Sequence, residues 1–354
     1  MSPHFLRFDA GFAPAREGTP SAHARAHVAF ATTDRTHSPE RSWRTGVVSR
    51  DTHAPSVQTV PGGSIMSSYA HPEVLVSTDW ALAQLATPGI RFIEVDVDTK
   101  AFDAGHIPGA VAFNWQTQLQ DQVRRDIISR VDFERLLSRY GIREDDTIVL
   151  YGDNNNWFAA YAFWLFKVYG HRDVRLINGG RSKWLSEDDK PLTTEIAEHV
   201  PSNYRAREPD ASIRALLPDV LDAVRQGGVN LVDVRSPDEY IGKVIAPPGM
   251  TETAQRAGHI PGARSVPWAT AVNSDGTFRS ADQLRQIYLE SAGVEASRPT
   301  IAYCRIGERS SHTWFVLRYL LGIEDVRNYD GSWTEYGSVV GVPIERGIPQ
   351  PALA

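Results

Sequence analysis

From Val74 onward, short apolar runs alternate with amphipathic stretches, a rhythm the preceding residues lack. Val74-Leu75-Val76 leads into a helix opening at Ser77 or Thr78, and Arg91 to Val97 reads as a strand. A helix is expected at about 131–140, then a buried strand from Thr147 to Tyr151. After Gly152-Asp153-Asn154-Asn155-Asn156 a second helix runs from Trp157 to about Tyr169, and Val174 to Ile177 with Asn178-Gly179-Gly180 closes the unit. Short strands separated by helices predict a parallel sheet, an α/β domain.

The same order then recurs. Leu231-Val232-Asp233-Val234-Arg235 answers the earlier strand, and Gly258-His259-Ile260-Pro261-Gly262-Ala263 repeats Gly105-His106-Ile107-Pro108-Gly109-Ala110 letter for letter. Thr300 to Tyr303 matches Thr147 to Tyr151, and Tyr329-Asp330-Gly331-Ser332-Trp333 matches Ile177-Asn178-Gly179-Gly180. The chain therefore divides into an extension at 1–70, an α/β domain at 71–190, a proline-bearing linker at 191–211 and a second α/β domain at 212–345. The His-Ile-Pro-Gly-Ala copies stand in both halves, and a Pro-Gly pair suits a fixed turn before a strand, so they are read as structural.

Composition changes the picture at the ends. Residues 1–70 contain no Lys, several Arg and five of the eleven His, with no sustained period, and are expected to be disordered. Asp9, Glu17 and Asp34 argue against a transit peptide, and Met66 is an alternative natural start. In a chain of 354 residues with net charge −6, nothing calls for a nucleic acid or an anionic membrane as partner. No apolar run approaches the ~18 residues that span a bilayer. One cysteine forms no internal disulfide and no cysteine-based metal cluster, which suits a reducing, cytoplasmic setting; neither metal nor organic cofactor is expected.

That cysteine opens Cys304-Arg305-Ile306-Gly307-Glu308-Arg309-Ser310, between a strand and a helix carrying Trp314, Phe315, Leu317, Leu320 and Leu321 at helical spacing. A thiol at a helix N-terminus, followed by Arg305 and Arg309, is expected to have a lowered pKa. Gly307 lets the loop turn its N–H groups inward as an anion nest. The first half places Gly152 and Asp153 at the matching point, so it is expected to be catalytically silent and to cover one face of the second half's pocket. Asp233 and Arg235 are read as a supporting pair at a strand end, and Asn154 to Trp157 as a loop able to reach the cleft.

The Cys304-to-Arg309 turn resembles the active-site loop of the rhodanese family of sulfurtransferases. Related phosphatases use a loop one residue longer with an arginine where this chain has Ser310. Phe102 to Ala110 and Val326 to Tyr336 resemble the family's two signatures, so the likeness covers about 74–344, in the form of a tandem-domain thiosulfate sulfurtransferase. It implies a persulfide on Cys304, a substrate-binding loop of Arg305, Ile306, Gly307, Glu308, Arg309 and Ser310, and transfer of sulfur from thiosulfate to cyanide or a thiol, with a protein as a further acceptor. Mercaptopyruvate-type loops resemble Cys-Gly-Ser-Gly and are nearly uncharged, whereas Arg305 and Arg309 favour the thiosulfate dianion. A 3-mercaptopyruvate sulfurtransferase and a persulfide carrier that does not turn over remain the alternatives. Related vertebrate enzymes carry a substrate-holding arginine near the position of Glu239, a departure in this chain.

Overall fold

The computed structural model describes residues 68–347. The disorder expected of the extension, and Met66 with it, falls almost wholly outside the described residues. From Tyr69 the chain is tied to the second half: the Tyr69 hydroxyl donates to the Arg279 carbonyl (2.8 Å), and the Ala70 and His71 N–H groups donate to Leu320 and Tyr319.

Two five-stranded parallel sheets carry the molecule. The first comprises β1 (Leu75–Val76), β2 (Ile90–Asp96), β3 (Val111–Asn114), β4 (Thr147–Tyr151) and β5 (Val174–Ile177), in the order β1-β5-β4-β2-β3. The second comprises β6 (Arg214–Ala215), β7 (Asn230–Asp233), β8 (Arg264–Ser265), β9 (Thr300–Tyr303) and β10 (Val326–Tyr329), in the matching order β6-β10-β9-β7-β8. Glu94 pairs with Tyr151 in one sheet and Asp233 with Tyr303 in the other, which fixes the equivalence of the halves residue by residue. The central strands β4 and β9 are apolar along their length because helices cover both faces.

The expected helix near 131–140 forms at Arg130–Arg139, with the Ser129 hydroxyl capping the Asp132 N–H. The helix expected from Trp157 is recorded over Asp153–Val168, but Asn154, Asn155 and Asn156 are left-handed (φ 50°, 55° and 66°), so regular helix does begin at Trp157. Asn tolerates that conformation better than most residues. The Asn156 amide makes use of it, accepting from the Gly152 N–H (3.0 Å) and donating to the Ile177 carbonyl (2.7 Å). Residues 191–211 run along the first half, donating from Ser202 to the Ser138 carbonyl and from Arg207 to that of Tyr169.

The helices that follow the two equivalent loops, Asp153–Val168 and Glu308–Phe315, pack against each other. Phe163 meets Phe315 edge-on (4.9 Å between ring centres) and Tyr319 likewise (5.0 Å), within one apolar cluster drawn from both halves. Each half also extends a hairpin-like loop over the other. The first, bridged at Gln120 and Ile127, sends Arg125 to the Asp330 carbonyl (3.3 Å). The second, bridged at Val272 and Phe278, donates the Phe278 N–H to Asn178 Oδ1 (2.9 Å) and pairs Asp275 with Lys183 (3.4 Å).

Both His-Ile-Pro-Gly-Ala copies are buried turns. His106 stacks on Phe102 and His259 on Tyr240, each at 3.7 Å, and each ring Nδ1 meets the carbonyl of its aromatic partner. The hydroxyls of Tyr151 and Tyr303 accept from the Ile107 and Ile260 N–H groups. These contacts lock the turns to the central strands.

Candidate active site

The site grows from the C-terminal end of β9, the place in an open α/β sheet where ligands bind. Gly307 holds φ 98°, and a Cβ there would lie 2.8 Å from the Asp330 Cα, so the loop closes tightly only with glycine. Residues 328–334 clasp its backbone. Ser332 Oγ accepts from the Cys304 N–H (3.1 Å) and donates to the Tyr329 carbonyl (2.7 Å), while the Trp333 and Thr334 N–H groups donate to the carbonyls of Cys304 and Arg305 (both 3.0 Å). Asn328 lies beneath: its Oδ1 accepts from the Ser310 hydroxyl (2.6 Å) and its amide donates to Ser311 Oγ (2.9 Å). Ser310 thus supports the loop from below, its side chain fully buried.

The Cys304 sulfur accepts from the Gly307 N–H (3.1 Å), and its thiol donates to Glu308 Oε2 (3.2 Å). Here the structure corrects the expectation of a lowered pKa. Burial is the largest influence and raises it, the Glu308 carboxylate adds to the rise, and Arg309 with the Ser310 N–H only partly offsets them. Burial and Glu308 thus favour the thiol over the thiolate.

The two arginines are likewise less free than the sequence implied. Arg309 forms a fork with Glu239 (3.1 and 3.3 Å) and lies 3.7 Å from Glu308 Oε1. Against the cost of burial, Arg309 holds the Glu239 carboxyl below its ordinary range. Arg305 donates to the Glu252 carbonyl (2.6 Å) and also stands 3.7 Å from Glu308 Oε1. Two carboxylates thus balance two guanidiniums. Asp233 and Arg235 lie away from the cleft, fully buried, with Arg235 forked onto Asp233 (2.9 and 2.5 Å) and stacked 4.6 Å over Trp333.

A cleft of about 490 Å³ opens above the loop at the junction of the halves. The first half contributes Trp115, Trp157 and Phe158; the second contributes Met250, Glu252, Arg305, Ile306, Glu308 and Arg309. The indole N–H groups of Trp115 and Trp157 have no protein partner. The sequence reading missed Arg125, Met250 and Glu252. Arg125 Nε donates to Glu252 Oε1 (2.5 Å), fastening the 241–257 loop to the first half. One signal was available: Phe102 is followed almost at once by Gly105, whereas a long insertion separates Tyr240 from Gly258. Among the described residues there is no cluster of groups able to hold a metal ion, and no helix long and apolar enough to cross a membrane.

A family model described as a Rhodanese-like domain matches residues 77–187 and again 217–338. The chain belongs to the rhodanese family. Among relatives of this tandem rhodanese, a Saccharopolyspora erythraea protein provisionally named a thiosulfate sulfurtransferase is 61% identical over 281 residues, 79% of this chain and 99% of its own. A Thermus thermophilus protein named as the sulfur carrier TtuD is 56% identical over 283 residues, again 79% and 99%. Among solved structures, SseA of Escherichia coli, described as a 3-mercaptopyruvate sulfotransferase, superposes with a TM-score of 0.64 at 26% identity, covering 73% of this chain and 98% of SseA.

Proposed function

We propose that this rhodanese is a thiosulfate sulfurtransferase whose nucleophile is Cys304. The observation that carries the reading is a single thiol on a strand end, inside a closed loop, with the Gly307 N–H directed at its sulfur and the loop's two guanidiniums, Arg305 and Arg309, lining the adjoining cleft. Cys304 attacks the outer sulfur of thiosulfate; the sulfur–sulfur bond of thiosulfate breaks with its electron pair departing on sulfite. A Cys304 persulfide remains, and an acceptor, cyanide or a thiol, takes the outer sulfur in a second half-reaction, which is covalent catalysis of the ping-pong type. Arg305 and Arg309 steady the sulfonate and then the leaving sulfite, and the loop N–H groups steady the persulfide. Gly152 in the first half carries no side chain to do this, so that half serves as a wall.

The test is incubation of the protein and Cys304→Ala with thiosulfate and cyanide, reading thiocyanate and intact mass. Thiocyanate from the parent alone, with a transient gain of one sulfur atom, is the expected result. A parent that neither gains sulfur nor turns over overturns the reading. A persulfide carrier for a partner protein is the second reading, favoured by a cleft far roomier than thiosulfate or cyanide needs and by the 56% identity to TtuD. Persulfide that accumulates without steady sulfite release distinguishes it.

A further inference from the structure

Glu308 stands where a nucleophilic thiol would be expected to meet only positive charge. Its carboxyl is 2% exposed, with Oε2 3.2 Å from the Cys304 sulfur and Oε1 3.7 Å from both Arg305 and Arg309. Cys304 is itself buried, and Glu308 is the carboxylate within hydrogen-bond reach of its sulfur. The other charged groups facing this pair are engaged elsewhere. Glu239, on the short helix Pro237–Tyr240, holds Arg309; Glu252, on the 241–257 loop, holds Arg125 with its carboxylate and Arg305 with its carbonyl; Asp330, after β10, is forked by Arg214 (2.8 Å to each oxygen).

We propose that Glu308 is a catalytic residue that accepts the Cys304 proton during attack on the sulfur donor and returns it to the leaving group. The inference rests on the thiosulfate reading. As the bond forms between Cys304 Sγ and the outer sulfur, the S–H bond breaks and its proton passes to Oε2. The donor's sulfur–sulfur bond breaks, its electron pair leaves on sulfite, and the neutral acid protonates sulfite to hydrogensulfite, restoring the carboxylate. Charge and atoms are conserved throughout. Protonation of Glu308 also removes the negative charge that stands 3.7 Å from Arg305 and Arg309 at the moment the donor's sulfonate arrives, coupling proton transfer to anion binding.

The experiment compares the parent, Glu308→Gln and Glu308→Asp in single-turnover persulfide formation from thiosulfate across about pH 6 to 9. It is run beside modification of Cys304 by methyl methanethiosulfonate, a small neutral reagent, with thermal melts to show that each variant folds. The expected result is that Gln slows both reactions about 100-fold near pH 6, with a rate rising about tenfold per pH unit, while Asp keeps the parent's flatter profile. If Glu308 acts only by repelling the thiolate, Gln makes the thiol more acidic and both reactions faster near pH 6, which overturns the proposal; profiles identical to the parent's overturn it too. Should the parent fail with thiosulfate, the thiosulfate reading falls, and the neutral reagent still decides Glu308 by the same criteria. If Gln does not fold, Asp decides: a profile rising as steeply as free thiol ionisation overturns the proposal, and a flat one sustains it.

Discussion

Arg181 and Arg235 bind equivalent carbonyls from non-equivalent positions. Arg235 leaves the end of β7 to reach the Gly258 carbonyl (2.7 Å) and pairs with Asp233; Arg181 starts from the helix after β5, reaches the Gly105 carbonyl (2.5 Å) and pairs with Glu94 (2.8 Å). By strand register Glu94 stands where Asp233 does, so each half keeps the carboxylate and relocates the guanidinium. Either arginine replaced by Met leaves a buried carboxylate unpaired, with an expected loss of about 3–5 kcal/mol in urea unfolding. Only Arg235→Met should also disturb persulfide formation, because Arg235 stacks on Trp333, whose N–H holds the Cys304 carbonyl.

Glu239 restrains Arg309. Glu239→Gln removes the opposing charge while keeping a hydrogen-bond acceptor, so the expected outcome is a several-fold lower KM for thiosulfate with a steeper loss of affinity as salt rises. Steady-state kinetics at two ionic strengths check it; a KM that rises would show Glu239 to be orienting the arginine rather than masking it.

Ser332 is left-handed (φ 53°) where the first half has Gly180 (φ 59°). Ser332→Ala deprives the buried Cys304 N–H of its acceptor at an expected cost of about 1–3 kcal/mol. Ser332→Gly loses the same bond but relieves the backbone, so its melting temperature should fall less than that of the alanine variant.

His312 lies within the helix after the loop, stacked on Phe278 at 4.7 Å, with neither ring nitrogen hydrogen-bonded. Burial pushes its pKa down to about 3 from an ordinary 6.5. Between those values the unfolded chain binds the proton and the folded one does not. Stability therefore falls as pH drops from about 6.5 toward 3, by up to roughly 5 kcal/mol. His312→Phe should narrow the gap between melting temperatures at pH 7 and pH 4; an unchanged gap would place the acid sensitivity in the carboxylates alone.

Sheet, duplication and the position of the lone thiol were legible because each has a local signature: apolar strands at fixed order, a repeated hexapeptide, and a cysteine between strand and helix. The charge state of the site was not. Arg305 and Arg309 lie beside Cys304 in sequence with Glu308 as the one visible opposing charge, yet Glu239 and the Glu252 carbonyl reach them only through the folding of the 236–257 segment. Glu308 was visible in the loop, but its contact with the sulfur depends on the tight turn at Gly307. Arg125 offered no pattern at all, since its reach to Asp330 is a contact between halves.

The exchanged hairpins bear on what a shorter gene could encode. Cut free of its neighbour, the second half would lose the arginine over Asp330 and Glu252 together with the Trp115 and Trp157 wall, and expose the helix face that Phe163 covers. The two repeats look separable on paper, but the half without a thiol walls the cleft beside the half that has one, and the pair should melt as one cooperative unit.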